Sequence, residues 1–239
     1  ILPLCGLADN GSVVLAGDPL QLAPIHQAAA PKYLENIVGS LYAFWRNVHG
    51  VQESALAVNY RSNDTLVSFA HDAGYSATLT SQSPDLSLDL LSPLPQAVPN
   101  QWPASLVWTP EWTSLLDPSH PAVCFVYDDG RSSQRNEFEA DAVAAMLWLL
   151  YGHVSNQLRN VIDPATGMAL QTSTTPYSAL DFWQNAVGVV TPHRAQQGLI
   201  VTRLQSVFNA TGQIADAIRD AVDTVERFQG QQRDIIIAS

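Results

Sequence analysis

The chain has 239 residues, of which 46% are hydrophobic and 14% are charged, and its formal net charge is −11. No apolar run reaches the roughly 18 residues that a membrane span needs, and Cys5 and Cys124 provide neither a metal-ligand spacing nor a disulfide framework. The six histidines are scattered, so a metal site built from protein ligands alone is not expected. These features predict an intracellular (cytoplasmic) globular protein of one or two domains with no membrane partner, and the acidic balance argues against a generic phosphate-binding surface.

The first third of the chain predicts alternating strands and helices. A strand is predicted at residues 11–16, a helix at 34–47 and a short strand at 55–58. Ser62 or Asp64 is the predicted cap of the next helix. The residues expected to face inward on that helix are Leu66, Phe69, Ala70 and Ala73.

Residues 76–120 are rich in proline, serine and aspartate, and they contain three tryptophans, Trp102, Trp108 and Trp112. Proline removes donors from a strand ladder and breaks helices. We therefore predict an irregular insertion that packs locally over its tryptophans and contributes no central strand.

The remainder of the chain again alternates. The predicted elements are a strand at 122–126, a helix capped by Ser132 or Ser133 that runs to Tyr151, a loop at 152–182, a strand at 186–190, a helix at 193–208 and a central strand at 235–238. Phe138, Ala142, Ala145, Met146 and Leu149 form the expected inward face of the first of these helices. This order of elements predicts a doubly wound α/β fold with a parallel sheet.

The stretch Gly17-Asp18-Pro19-Leu20-Gln21-Leu22-Ala23-Pro24 follows the first predicted strand. In open α/β sheets, ligands bind at the carboxyl ends of the strands. Asp18 and Gln21 are therefore candidates to face a nucleotide phosphate or its metal. A tight turn capped by Asp18 fits the same residues.

Three further blocks follow in order: Asn59-Tyr60-Arg61-Ser62, Val189-Val190-Thr191-Pro192-His193-Arg194-Ala195-Gln196, and the run from Val222 to Ile237 that contains Phe228-Gln229-Gly230. Together with the first stretch, they resemble the C-terminal motor half of superfamily 1 helicases, in the up-frameshift branch. The four blocks resemble motif III, motif IV, the segment before motif V, and motif V. The pattern Ser-x-x-Asn-x-x-Glu-Ala from Ser133 to Ala140 also resembles this family.

The resemblance implies a RecA-like parallel sheet flanked by helices, the P-loop NTPase helicase fold. Residues 1–50 would be the tail of RecA-like lobe 1 and a connector, and residues 51–239 would be lobe 2, with the insertion at about 76–120 and an end before motif VI. The chain lacks the Gly-rich phosphate loop and the Asp-Glu metal motif. The main seat of ATP with Mg²⁺ is therefore expected in the missing N-terminal lobe, and the chain alone is expected to be inactive.

For the nucleotide, the resemblance implies that Arg61 is an arginine finger on the γ-phosphate and that Tyr60 stacks on adenine. Gln21 would contact the γ-phosphate or the attacking water, and Asp18 would organise the same edge. The alternatives are a salt bridge for Arg61 and a core position for Tyr60.

Gln229 and Gly230 would lie near the nucleotide, because glycine permits close backbone approach. Gln232 departs from the family, which places glutamate there. An amide can bond a ribose hydroxyl but cannot act as an anion.

Thr191, His193, Arg194 and Thr224 are candidates for contacts to a nucleic-acid backbone, since hydroxyls and helix starts hold phosphates. Thr191-Pro192 also fits an ordinary helix start. The resemblance implies part of an ATP-dependent helicase acting on single-stranded DNA or RNA. The alternative is a degenerate motor that serves as a nucleotide-dependent scaffold or binding module.

Overall fold

The structure is a computed structural model that describes residues 10–21, 31–34, 40–130, 133–171 and 173–239. The chain divides into two compact units, residues 1–56 and 57–239. The helices of the described residues are α1 (Leu41–His49), α2 (Asp64–Asp72), α3 (Glu111–Leu115), α4 (Glu137–Leu150), α5 (Ala179–Asp181), α6 (Arg194–Val207), α7 (Gly212–Ala221) and α8 (Val225–Phe228). The strands are β1 (Val58–Asn59), β2 (Thr80–Ser81), β3 (Ser87–Leu90), β4 (Val154–Arg159), β5 (Val187–Thr191), β6 (Val222–Thr224) and β7 (Ile235–Ala238). None of these helices is long and apolar enough to cross a membrane.

In the first unit, α1 is the longest described element. The Ser40 hydroxyl accepts a hydrogen bond from the Ala43 backbone N–H at 3.3 Å, which fixes the helix start. Gly50 ends it with a φ of +61°, a conformation that glycine adopts without strain. The helix predicted at 34–47 is thus displaced: Lys32–Leu34 form a 3₁₀ turn, and 35–39 lie outside the described residues.

The strand predicted at residues 11–16 is wrong, because these residues are irregular. No strand occurs among the described residues of this unit. An apolar run of this length becomes a strand only where a neighbour completes its hydrogen-bond ladder.

In the second unit, a parallel sheet with the order β6-β5-β7 carries the core. Val187 and Val189 on one face of β5 and Gly188 on the other are all buried, as expected of a strand covered on both faces. The prediction of strand 186–190 and helix 193–208 is confirmed by β5 and α6. Strand β7 forms as predicted, but it flanks β5 in the described sheet and is not its centre.

Helices pack around this sheet. α4 packs on α6, and α6 packs on β6 and α7. Buried side chains of these elements form one cluster, whose largest fully buried members include Trp183, Phe182, Leu147, Ile200 and Ile218. The predicted α/β fold with a parallel sheet flanked by helices is confirmed.

Both predicted helix caps are wrong, because an asparagine caps each of these helices. Asn63 caps α2 through a hydrogen bond from Leu66 N at 3.1 Å, and Asn136 caps α4 through Glu139 N at 3.1 Å. On α2, Val67 is the buried residue and Phe69 is 71% exposed, so the predicted inward face is wrong. On α4, Ala142, Ala145 and Leu149 are buried as predicted, Met146 packs against the core and Phe138 is exposed.

The insertion supplies no strand to the β6-β5-β7 sheet, as predicted, although its short β2 pairs parallel with β1. Its strand β3 pairs antiparallel with β4, which lies in the stretch predicted as a loop at 152–182. Trp102 packs edge to face on Trp108 at 5.0 Å and on Trp148 of α4 at 5.1 Å. Trp112 is 4% exposed and belongs to the core cluster, so the tryptophans join the insertion to the lobe and do not pack only with one another.

The strand predicted at residues 122–126 is wrong, because this segment is irregular. The Phe125 ring lies 5.6 Å from Trp112 and 6.1 Å from Phe138. Aromatic packing, not strand pairing, therefore holds it.

Candidate nucleotide and nucleic-acid site

The turn after β1 presents two neighbouring side chains to solvent. Asn59 Oδ1 accepts hydrogen bonds from the backbone N–H groups of Arg61 at 2.8 Å and Ser62 at 2.9 Å. This Asx turn fixes the backbone around Tyr60, whose side chain is 66% exposed. Among the described residues, no carboxylate lies within ion-pair distance of Arg61. Tyr60 therefore does not occupy the alternative core position, and Arg61 does not form the alternative salt bridge among the described residues.

The loop between α8 and β7 carries Gln229, Gly230 and Gln232. Gly230 has a φ of +83°, which favours glycine, and Gln231 N donates to Phe228 O at 3.0 Å. Gln229 and Gln232 are exposed. The loop thus has a defined turn with two amide side chains at its surface.

Arg233 braces this loop from its carboxyl end. Its Nη1 donates to Gln232 O at 2.8 Å and its Nη2 donates to Gln231 Oε1 at 3.1 Å. The guanidinium carbon lies 5.7 Å from the centre of the Phe228 ring, within the range of a cation–π contact. A Cβ on Gly188 of β5 would lie 2.9 Å from Phe228 Cε2 and 3.1 Å from Arg233 Cγ, so the absence of a side chain at Gly188 gives this stack its room.

Asp234 follows Arg233 in the chain and accepts a hydrogen bond from the Tyr177 hydroxyl. Burial raises the pKa of Asp234 above its ordinary value, and the hydrogen bond from Tyr177 opposes that rise. Burial and the nearby Asp234 carboxyl raise the pKa of Tyr177. The pair therefore joins the start of β7 to the segment before α5.

Two of the predicted nucleic-acid residues are brought side by side at the carboxyl edge of the parallel sheet. Thr191 ends β5, Thr224 ends β6, and the two are register partners. Thr191 is fully buried, and its Oγ1 has no hydrogen-bond partner among the described residues. Thr224 is 6% exposed, and its backbone N–H donates to Asp223 Oδ1 at 2.8 Å.

The other two predicted nucleic-acid residues begin α6, directly beyond Thr191. His193 is the N-cap residue, but its side chain makes no capping hydrogen bond. Arg194 is exposed and has no ion-pair partner among the described residues. The N-terminus of a helix carries partial positive charge and unpaired N–H groups. This corner combines that helix start with two exposed side chains that can donate hydrogen bonds, the His193 imidazole and the Arg194 guanidinium.

Asp18 and Gln21 lie in the first unit and contact each other. Asp18 Oδ1 accepts from Leu20 N at 3.0 Å, and Asp18 Oδ2 accepts from Gln21 Nε2 at 3.0 Å. The described residues thus form the Asp-capped turn that the sequence allows. The catalytic role of this pair stays a prediction.

Most of the chain matches a known protein family. Residues 40–239 match the model of a family described as an AAA domain. The chain belongs to this AAA domain family. The domain is typical of the C-terminal regions of superfamily 1 helicases and has the P-loop NTPase helicase fold, which confirms the predicted family.

One curated relative of this AAA domain is the DNA replication ATP-dependent helicase/nuclease dna2 of Schizosaccharomyces pombe. It is 25% identical over 249 residues, and the match covers 100% of this chain and 15% of the relative. No solved structure matches at a significant level.

The AAA domain also contains supporting residues that sequence analysis missed. Asn59 shapes the turn that carries Tyr60 and Arg61, and its place directly before them in a polar turn was the available signal. Arg233 braces the glutamine loop, but its partners become visible only in the fold. The described residues contain no group of three or more His, Cys, Asp or Glu side chains that could hold a metal ion.

Proposed function

We propose that this chain is part of an ATP-dependent superfamily 1 helicase that couples ATP hydrolysis to movement along single-stranded nucleic acid. The observation that carries the proposal is the turn at Asn59. It presents Tyr60 and Arg61 to solvent, and neither side chain is used by the described fold. Membership in the AAA domain family supports the same class of activity.

Each exposed group suits one part of a nucleotide. The Tyr60 ring offers a flat face for adenine, and the Arg61 guanidinium offers a fork of donors for γ-phosphate oxygens. Gln229, Gly230 and Gln232 would contact the nucleotide from a second loop. ATP with Mg²⁺ supplies the phosphoryl group that is transferred to water, and the carboxylates that hold the metal are proposed to belong to the N-terminal RecA-like lobe.

The carboxyl edge of β5 and β6 is the proposed contact surface for the strand. His193 and Arg194 supply exposed donors at the start of α6, and the candidates Thr191 and Thr224 lie buried at the strand ends directly behind them. Phosphate contacts of this kind hold a strand without reading its sequence. The name of the fission-yeast relative specifies DNA, which makes single-stranded DNA the first probe and RNA the second. Such a motor would act inside the cell.

The test is strand-stimulated ATP turnover by the full-length protein. Turnover is measured alone, with an oligodeoxythymidine strand and with the matching oligouridine strand, together with unwinding of a duplex that carries a single-stranded tail. We expect stimulation by at least one strand. The control variant is Arg219→Ala. Arg219 is exposed and is not a candidate site residue, and its Nη1 lies 2.9 Å from Asp216 Oδ1.

Binding of nucleotide and strand without turnover would overturn the motor proposal and support the scaffold alternative. Gln232, where the family usually has glutamate, is the feature that keeps this alternative open. Robust turnover by the 239-residue chain alone would contradict the proposed dependence on a second lobe.

A further inference from the structure

Two glutamines hold the first turn of α6 from opposite sides. Gln197 Nε2 donates to Val222 O at 2.9 Å and to Asp223 Oδ1 at 3.2 Å, which ties the turn to β6. Gln196 reaches in the other direction, to the start of α4. The Gln196 side chain is the buried one of the two, since the residue is only 3% exposed.

Gln196 forms a two-point pairing with the backbone of Asn136. Its Oε1 accepts from Asn136 N at 2.7 Å, and its Nε2 donates to Asn136 O at 3.1 Å. The primary amide of glutamine accepts through its oxygen and donates through its nitrogen from one planar group. Asn136 is itself fixed, because its side chain caps α4 through Glu139 N at 3.1 Å.

A second set of hydrogen bonds closes the arrangement. Gln196 Nε2 also approaches Ser239 Oγ at 3.3 Å, and Ser239 Oγ donates to Glu139 Oε2 at 2.8 Å. The other oxygen of Glu139 accepts from the Tyr127 hydroxyl at 2.6 Å. Burial and this contact with Glu139 raise the pKa of Tyr127 to about 12. Two sequence patterns with no assigned role thus meet here, Ser133 to Ala140 and the end of the block at Gln196.

We propose that Gln196 is a positioning residue for strand binding. With Asn136, it fixes the start of α6, and so the places of His193 and Arg194, against the start of α4. The inference rests on the proposed strand contact of this corner and assigns no direct contact to Gln196, whose amide is fully occupied within the fold.

The test is a double-variant cycle in the full-length protein, with a labelled oligodeoxythymidine strand as the probe. Gln196→Met keeps the side-chain length but removes both hydrogen bonds to Asn136. We expect strand binding to weaken by roughly tenfold, as when supporting hydrogen-bond partners of metal ligands are removed. Affinity for a fluorescent ATP analogue is expected to stay unchanged.

Salt dependence shows whether Gln196 acts through Arg194. A lost arginine–phosphate contact reduces the slope of log affinity against log salt by about one. Gln196→Met and Arg194→Ala should each lower the slope by this amount, and the double variant should lower it no further. Additive effects would overturn the inference.

Gln205→Met is the matched control, because Gln205 Nε2 donates to Ala215 O at 2.9 Å from the same helix, away from its start. It removes a structural hydrogen bond and is expected to leave the strand affinity and salt slope unchanged. Equal losses of strand affinity in Gln205→Met and Gln196→Met would mean general destabilisation and overturn the inference.

Ser239→Ala covers the case in which Gln196→Met fails to fold, since it keeps both Gln196–Asn136 hydrogen bonds and removes only those of the Ser239 hydroxyl, to Gln196 and to Glu139. It should weaken strand binding less than Gln196→Met is expected to, and full wild-type affinity and salt slope in a folded Ser239→Ala protein would then overturn the inference. If the wild-type protein binds no strand, the proposed function itself fails. If the wild type binds and Gln196→Met binds equally well, only the positioning role fails.

Discussion

Tyr60 and Arg61 share one turn, but they would serve different steps of the proposed reaction. A ring stacked on adenine contributes to binding the ground state. A guanidinium on the γ-phosphate contributes most when charge develops as the bond breaks. In this proposal, the Asx turn at Asn59 would carry both a binding group and a rate-enhancing group on consecutive residues.

In the full-length protein, Arg61→Ala should slow ATP turnover on the order of 10³-fold or more, with a much smaller loss of ATP affinity. Arg61→Lys should restore little, because an ammonium cannot reproduce the planar fork. Tyr60→Ala should mainly raise KM. Steady-state kinetics and analogue binding measure both, and a near-normal kcat in a folded Arg61→Ala protein would refute the arginine-finger role.

Gly188→Ala should destabilise the protein by about 1–3 kcal/mol, because the added Cβ overpacks the stack of Phe228 and Arg233. Urea unfolding provides the measurement. Gly198→Ala is the matched control: nothing lies within 4 Å of a Cβ at this position of α6, so alanine should stabilise the helix by about 0.5–1 kcal/mol. Equal effects at the two glycines would contradict the proposed packing constraint.

The contact between Tyr177 and Asp234 predicts that the free energy of unfolding depends on pH. Because burial raises the folded pKa of Asp234 above its ordinary value of 3.8, the folded state binds this proton more tightly than the unfolded state. Stability at this group is therefore lost as pH rises from 3.8 through the folded pKa, and the cost is complete at neutral pH. The Tyr177 hydroxyl reduces that cost by bonding the carboxylate.

Tyr177→Phe should consequently destabilise the protein more at neutral pH than near pH 3, where the Asp234 carboxyl is largely protonated in both the folded and the unfolded state. Unfolding free energies of variant and wild type at the two pH values give the comparison. Tyr151→Phe is the control, since the Tyr151 ring contacts Phe182 and Phe208. A Tyr177→Phe effect that is as independent of pH as the Tyr151→Phe effect would contradict the assignment.

At the scale of elements, an ion pair between Asp89 and Arg159 joins β3 to β4. Asp89 is 7% exposed and accepts from Arg159 Nε. Removing one partner leaves the other charge buried without compensation, which costs more than an exposed pair contributes.

Arg159→Ala should therefore cost about 2 kcal/mol, between the values of exposed and buried pairs, and speed hydrogen exchange at the Leu88 and Leu158 amides. Arg219→Ala, which breaks an exposed pair with Asp216, should cost less than about 1 kcal/mol. Unchanged exchange in Arg159→Ala would show that the ladder does not need this pair.

Elements with strong local patterns were predictable from the sequence. The valine-rich run of β5 and the isoleucine run of β7 each predict a strand. The residues after His193 likewise predict a helix without any tertiary contact. Strand β6 has only three residues and exists through its register with β5, so no local pattern reveals it. The same holds for β4, which needs β3 to form a ladder.

The candidate site divides in the same way. Tyr60, Arg61 and Thr191 stand in recognisable blocks, and the resemblance identified them. The support of Arg233 and the pairing of Gln196 with Asn136 join residues from different blocks, so only the fold brings them together. Asp18 and Gln21 were expected at a sheet edge, and the strand that would create this edge is not found in the described residues.

At the scale of the molecule, every member of the main buried cluster among the described residues lies in the second unit. We therefore predict that residues 57–239 alone unfold in one cooperative transition, with a Tm within about 4 °C of the whole chain, a shift that corresponds to about 1 kcal/mol at this size. Calorimetry on both chains tests this. A broad transition or a much lower Tm would show that residues 1–56 complete the core.

The β3–β4 ladder joins two segments that lie on either side of α4 in the chain. Neither strand is useful alone, because a single one would expose an unpaired edge that invites aggregation. Evolution would have to gain or lose the two segments together, and a homologue that lacks one should also lack the other. Protein engineers who edit this lobe face the same rule: the two segments form one structural unit that is encoded in two places.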